Sequence, residues 1–408
     1  MIIRPYNAEK DQKAVHRIWK EVHWIDKDQE KLMDHFLEGN RALVGELGGE
    51  AESLVTSAQG TFRYLRTDLK LCAVTGVTTS RVARKQGFAG QMTAELIAAD
   101  VKEGAHIAAL GMFEQGYYNR LGFGTGSYDN MLFFDPASLQ IEAPFRVPKR
   151  LSTEDWEIIH QAMMNRKRGH GAVNLFEACI THAELAWTEG GFGLGYFDEA
   201  EDALSHFVWM SGEKEHGPYS VKILIYQNHE QLKELLALLK SLGDQIRLIN
   251  IFEPPEIQLQ DLIKQPFKGR QLSKKSTYEQ RHWAEAFWQI RICDLQACIE
   301  AVHIHAEDIS FNLELDDPIS AKLDESQPWR GISGQYQIKF GKKSSVKSGT
   351  SPKLPTLKAS IGAFSRLWLG VRPASGLAFT DELEGPEELL LELDEKLRLP
   401  KAHLGWEF

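Results

Sequence analysis

A run of about 18 apolar residues, the length a membrane-crossing helix needs, occurs nowhere in the chain. The first residues, Met1-Ile2-Ile3-Arg4-Pro5-Tyr6, lead into no long apolar stretch, so no signal peptide is visible and a cytoplasmic protein without a membrane partner is expected. Cysteine is scarce, 4 in 408 residues, which suits a reducing compartment rather than a disulfide framework. Cys293 and Cys298 have no second pair and no His-x-x-x-His beside them, so they read as buried thiols and no metal is expected. Positive charge is also in deficit. A formal net charge of −10 disfavours nucleic acid, whose phosphates demand a basic face, and mildly favours cationic small molecules through long-range steering. The local run Arg166-Lys167-Arg168 reads as a solvated helix end. Phosphate-loop motifs are missing: Gly334 to Lys342 has Tyr336 inside it and fits no GxxxxGK register, and Gly191 to Gly195 lies in an alternating strand pattern and opens no helix. What remains is a globular chain of 408 residues, long enough for two or three domains with a sizeable core.

The most informative stretch runs from Leu71 to Phe123. Leu71, Ala73, Gly76 and Val77 lie in an apolar, β-branched run that predicts a buried strand. Arg84-Lys85-Gln86-Gly87-Phe88-Ala89 follows as a turn. Met92, Leu96 and Ala99 then share one face of a helix that Gly104 can close, and Ile107 to Met112 is another apolar strand. A helix starting near Gly87 presents unpaired N–H groups and a positive dipole end to an anion. Gly87 and Ala89 remove bulk where a phosphate would meet the backbone, and Arg84 and Lys85 add charge. From spacing alone, a tight basic turn that binds nothing fits equally well.

Gly76-Val77-Thr78-Thr79-Ser80-Arg81 with Arg84, Gly87 and Ala89 resembles the Arg-x-x-Gly-x-Gly/Ala acetyl-coenzyme A signature of the GNAT N-acetyltransferases. Tyr117-Tyr118-Asn119-Arg120-Leu121-Gly122-Phe123 resembles their second signature. Arg81 departs from the family, which usually has proline there. The resemblance implies acetyl-coenzyme A as cosubstrate, with Val77 and Thr79 bonding the pantetheine arm through their backbones and Arg84, Lys85, Gly87, Phe88 and Ala89 around the pyrophosphate. It also implies Tyr118 as the acid that protonates the leaving thiolate, with Tyr117 as the alternative.

Elsewhere, Ile2 to Arg4 predicts a strand, Asn7 to Val22 and Glu30 to Phe36 helices, and Ala42 to Leu47, Glu52 to Ala58 and Thr61 to Tyr64 short strands. Trp24, Asp26, Asp28, Glu30 and Phe36 sit on or beside the helix-to-helix connection, either as a half-exposed hairpin or as the wall of an acceptor pocket. Pro136, Pro144 and Pro148 mark a boundary. Beyond it come expected strands around Ala183 to Thr188, Gly191 to Phe197, Ala203 to Met210, Val221 to Tyr226 and Gln245 to Asn250, with helices over His229 to Leu242 and Ile257 to Ile263. This order is again GNAT-like but has no cofactor turn. From about Arg281 a third unit begins: strands over Phe287 to Asp294, Ile309 to Leu315 and Gly334 to Phe340, helices over Leu295 to Val302 and Ala359 to Leu369, and a mobile loop from Gly341 to Pro355.

The whole chain resembles the enhanced-intracellular-survival (Eis) acetyltransferases. That resemblance implies an α/β (α+β) protein with two tandem GNAT-like domains, 1–147 and 148–280, only the first binding cofactor. A sterol-carrier-protein-like α+β domain, 281–408, would follow. It further implies a homo-oligomer, trimer or hexamer, acting on primary amines of a polycationic small molecule such as an aminoglycoside, or of lysine. In such enzymes the terminal carboxylate enters the active site, which gives Phe408 a role as base or binding group and lets Glu407 bind a cationic acceptor. Trp24, Asp26 and Phe36 would complete the acceptor side. The alternatives are a carrier of lipids or other hydrophobic ligands working through the third domain, and an inactive scaffold.

Overall fold

The computed structural model describes residues 2–26, 29–198, 203–266, 276–305 and 307–408; Asp28 lies outside them. Among these residues are three sheets and ten α-helices, so the chain is a mixed α/β protein. By compactness it divides into one unit of residues 1–127, 169–177 and 286–408 and another of 128–168 and 178–285.

In the first unit, β1 (Ile2–Pro5) leads to helices α1 (Ala8–Glu21) and α2 (Glu30–Leu37). β2 (Arg41–Leu47), β3 (Glu50–Tyr64), β4 (Thr67–Thr79), α3 (Phe88–Lys102), β5 (Ile107–Gly111) and β6 (Gly124–Thr125) follow. Asn7 caps α1 by accepting from the Lys10 N–H at 3.1 Å. Its apolar stripe, Val15, Ile18 and Trp19, is buried. The region expected as two strands, Glu52 to Ala58 and Thr61 to Tyr64, is the single strand β3, because Gln59 and Gly60 pair on through β4 residues Cys72 and Leu71.

The sheet order is β1-β2-β3-β4-β5, then Trp288–Ile292, then β6. The strand Trp288–Ile292, expected to open a third unit, therefore runs antiparallel between β5 and β6 inside the first unit's sheet. Beyond it the chain forms a five-stranded sheet: Ser345–Ser348, Gly334–Phe340, Ile309–Asp316, Thr356–Ser360 and Leu383–Glu384. The tract expected to be a mobile loop holds the strand Ser345–Ser348, which pairs with Tyr336 to Lys339. Polar composition there reflects an edge strand facing water on one side.

The second unit is built on a seven-stranded sheet. Three expectations fail here. Ala183 to Thr188, expected as a strand, lies in or just after the helix Ala178–Trp187, which buries Ile180, Thr181, Ala183 and Leu185; a short apolar run has no period that separates strand from helix. Ile257 to Ile263 holds only a 3-10 turn, Leu259–Leu262. Arg166, expected in solvent, is buried and donates to the Met163 carbonyl at 2.7 Å, with burial pulling its pKa down to about 9.

Candidate active site

The site begins as a defect in β4. Pairing with β3 runs from Thr67↔Tyr64 to Thr75↔Thr56 and resumes at Thr78↔Leu54, leaving Gly76 and Val77 opposite Val55 alone. Gly76 has φ +61, the left-handed residue such a bulge requires. It must be glycine for space as well, since a Cβ would lie 2.6 Å from Thr56 Oγ1 and 3.2 Å from the Phe36 ring. The neighbouring carbonyls are held from β3, with Thr56 Oγ1 donating to Thr75 O at 3.0 Å and Ser53 Oγ to Thr78 O at 2.8 Å.

On its other edge β4 parts from β5. The parallel ladder ends at Val74↔Leu110, while β4 continues to Thr79. A strand edge carrying Val77 and Thr79 thus extends beyond its neighbour, offering backbone groups to an extended ligand.

The turn after β4 delivers the helix start. Arg81, in the place where the family usually has proline, uses the N–H that proline lacks: it donates to Glu21 Oε2 at 3.0 Å, tying the strand's end to α1. Arg84 and Lys85 are exposed, and Lys85 (φ +61) and Gly87 (φ +85) both take left-handed conformations. Gly87 is the N-cap of α3, no side chain caps the helix, and no acid stands in its first turn. A Cβ at Gly87 or Gly90 would meet nothing within 4 Å. The N-terminus is open, uncapped and flanked by cations, which fits a pyrophosphate. Phe88 is different: its ring is buried, occupying the space left by Gly45, so only its backbone can face a ligand.

The second unit repeats this order with a different ending. The helix His229–Ser241 likewise lies between parallel strands, Tyr219–Ile225 and Ile249–Phe252. There Asn228 Oδ1 accepts from the Gln231 N–H at 3.0 Å and Glu230 stands in the first turn. A capped and acidic helix start does not invite a phosphate.

Beyond β5, Tyr118 opens the 3-10 turn Tyr118–Leu121. It is buried among Tyr117, Phe113 and Phe123, with ring centroids 4.9, 6.0 and 6.2 Å away. Burial, with Tyr117 adding to it, pushes its pKa well above the ordinary tyrosine value; burial also raises Tyr117. The Tyr118 hydroxyl has no hydrogen bond among the described residues. Its turn is held by two side chains that sequence reasoning missed. Gln289 Nε2 donates to Asn119 Oδ1 at 3.1 Å, and Arg291 donates to the Leu121 carbonyl while pairing with Asp317 at 2.6 Å. Gln289 and Arg291 alternating with Trp288, Ile290 and Ile292 in one buried strand were the available signal.

Phe408 reaches the end of β5. Its carbonyl oxygen lies 3.4 Å from the Cβ position of Gly111, the last residue of β5. Of the expected acceptor residues, Phe36 packs at the β4 bulge and against Trp19, with ring centroids 6.4 Å apart. Trp24 and Asp26 are exposed on the α1–α2 connection and make no hydrogen bond to β4 or the tyrosine turn among the described residues. Glu407 is exposed.

Comparison with known proteins agrees with this geometry. Residues 3–126 match the acetyltransferase (GNAT) domain family, so the chain carries a GNAT acetyltransferase domain. A search of curated proteins finds no significant match. Solved structures resemble the chain over its full length. A probable N-acyltransferase from Enterococcus faecalis is 17% identical with TM-score 0.78, covering 100% of this chain and 99% of that one. A GCN5-related N-acetyltransferase from Anabaena variabilis is 13% identical with TM-score 0.75, covering 100% of both chains. Eis1 from Mycobacterium abscessus is 14% identical with TM-score 0.76, again covering 100% of both. The fold is Eis-like from end to end. No helix among the described residues is long and apolar enough to cross a membrane.

Proposed function

We propose that this chain transfers acetyl from acetyl-coenzyme A to primary amines of a polycationic small molecule, of the aminoglycoside kind, or of lysine. The observation that carries the reading is the extended edge of β4 beside β5, with an open helix start after β4, Tyr118 in the turn that follows β5, and Phe408 against Gly111 at the end of β5. The backbones of Val77 and Thr79 would bond the pantetheine arm, and Arg84, Lys85 and the backbone at Gly87, Phe88 and Ala89 the pyrophosphate. The acceptor nitrogen attacks the thioester carbonyl carbon, the C–S bond breaks, and Tyr118 gives its proton to the departing sulfur. A tyrosine whose pKa is raised by burial stays protonated through the neutral range and remains available as an acid.

The proton lost by the amine passes to the Phe408 carboxylate or through it to water. An α-carboxyl is ordinarily a weak base, with pKa about 3.5, so its part is binding and relay unless burial raises it. Trp24, Asp26, Phe36 and Glu407 would border the acceptor. For a lipid carrier the support is thinner: a cleft of about 670 Å³ on the five-stranded sheet has Leu315, Ala359 and Leu383 in its lining, but Glu314, Asp316, Lys358, Asp381, Glu382 and Glu384 line it too, and an apolar ligand would cost those charges their water.

The test is thiol release from acetyl-coenzyme A against kanamycin, spermidine and a lysine peptide, with intact protein and with protein amidated at Phe408. Turnover should be present and fall sharply on amidation, with cofactor affinity unchanged. Full activity after amidation removes the carboxylate from the mechanism, and no thiol release with any amine removes the acceptor class.

A further inference from the structure

The segment Gly169–Glu177 packs into the first unit although the chain on either side of it belongs to the second. One edge adds a strand to β3, pairing Leu175 with Gly60, Asn174 with Thr61 and Val173 with Phe62. The Gly171 N–H donates to Arg63 O at 2.7 Å and the Arg63 N–H to Ala172 O at 2.8 Å, prolonging the ladder. The approach is close enough that a Cβ on Gly60 would lie 2.0 Å from Asn174 O.

The other edge holds the last residues of the chain. The His403 N–H donates to His170 O at 3.0 Å, and the Val173 N–H to Leu404 O at 2.9 Å. His170 is itself fixed: its Nδ1 accepts from the Leu65 N–H at 3.1 Å, its Nε2–H donates to Leu369 O at 3.1 Å, and its ring packs edge-on to Tyr64. Between the two tail bonds sits Gly171, at φ +86. A Cβ there would fall 2.7 Å from His403 N and 2.8 Å from Ala402 Cβ. The tail alternates, with Ala402, Leu404 and Trp406 buried and Gly405 and Glu407 exposed. A slip of one residue would turn the buried set outward and move the end by about 3.3 Å.

We infer that Gly171, with the backbones of His170 and Val173, is a clamp that sets the register of Ala402–Phe408 and so places Phe408 at the end of β5. The inference deepens the acetyl-transfer reading and rests on it for its catalytic consequence. Gly171 is a positioning residue: it touches the tail and not the reacting atoms. Misplacement of a reacting group by about 1 Å can cost 10²-fold in rate.

The experiment uses the full chain and the substitution Gly171→Ala. Gly48→Ala is the control, since Gly48 has φ +64 and a Cβ there meets nothing within 4 Å. Two readouts are taken: hydrogen exchange of the peptide spanning residues 402–408, and kcat for acetyl transfer to the fastest of kanamycin, spermidine and a lysine peptide. In Gly171→Ala, exchange in the tail should rise and kcat should fall about 10-fold or more, with acetyl-coenzyme A affinity retained; Gly48→Ala should do neither. If Gly171→Ala does not fold, Leu404→Ala, which trims a buried tail anchor, takes its place with the same two readouts. Unchanged tail exchange in a folded variant overturns the clamp, whatever the activity. Raised exchange with unchanged kcat overturns the positioning role instead, and absence of turnover in the unmodified protein points to failure of the acceptor reading, since the exchange readout does not depend on it.

Discussion

Replacing Asp317 by alanine would strand a buried cation. Arg291 and Asp317 are both fully inside, 0% exposed, and their Nη2–Oδ2 distance is 2.6 Å. Asp317 also accepts from the backbone N–H groups of Ile332 at 3.0 Å and Ile319 at 3.2 Å, so its removal unpairs two amides as well. Breaking a buried pair from one side costs about 3–5 kcal/mol, because the remaining charge has neither water nor a counter-charge. At about 2–4 °C per kcal/mol for a unit of this size, the melting temperature should fall by roughly 6–20 °C. The double variant Arg291→Met/Asp317→Leu leaves no buried charge and should recover more than half of that loss. Thermal and urea melts of the three proteins measure it. A loss under about 1 kcal/mol in the single variant, the scale of an exposed pair, would refute the reasoning. Activity should follow in whatever folds, since Arg291 also holds the Leu121 carbonyl and with it the turn that begins at Tyr118.

Gly87→Asp should abolish acetyl-coenzyme A binding in a folded protein, because Gly87 is left-handed and a carboxylate there would occupy the anion's place; calorimetric affinity equal to the parent's would sink the assignment of that turn. Tyr118→Phe should lower kcat about 10²-fold or more with cofactor affinity nearly retained, and the same loss from Tyr117→Phe alone would move the acid to Tyr117. Burial lowers the pKa of His106, His170 and His206 below the ordinary histidine value, so the unfolded chain binds more protons than the fold as pH drops. Their contribution is whole above about pH 6.5 and is lost as pH falls through the folded values, so the melting temperature should decline as pH falls below about 6.5. His170→Gln should flatten that decline, and an unchanged slope would exclude His170 from it.

The stretch from β4 to the tyrosine turn was legible because its signals are local. A β-branched run, a basic turn around Gly87 and apolar residues at helical spacing each depend on neighbours within a few positions, and all three appear as β4, turn and α3. The bulge was half legible: Gly76 could be seen in the strand, but its left-handed φ depends on Thr56 and Phe36, which no local pattern ties to it. What the sequence concealed is contact between distant residues. Trp288–Ile292 reads correctly as a strand, yet nothing in those residues says that it pairs with β5 rather than with the sheet that follows it. Short polar tracts and short apolar runs failed for another reason. Ser345–Ser348 is an edge strand and Ala178–Trp187 a helix, and in both the composition matches more than one conformation until neighbours decide.

The two parts of the site that the proposed mechanism puts nearest the chemistry are supported from far along the chain, and this bears on where that activity would reside. Tyr118 lies within the residues that match the acetyltransferase domain, but the side chains holding its turn are Gln289 and Arg291, and Arg291 is held in turn by Asp317. Phe408 arrives through a tail bonded to His170 and Val173. A fragment limited to residues 3–126 would keep the cofactor turn, whose open helix start is built locally, and would lose the partners of the Leu121 carbonyl and the whole tail. Buried carbonyls without donors and strand edges without neighbours are costly in water as well as in function. On the proposed reading, cofactor binding and acetyl transfer therefore have different physical supports: the first would rest on the turn between β4 and α3, and the second also on residues 169–177 and those beyond position 286.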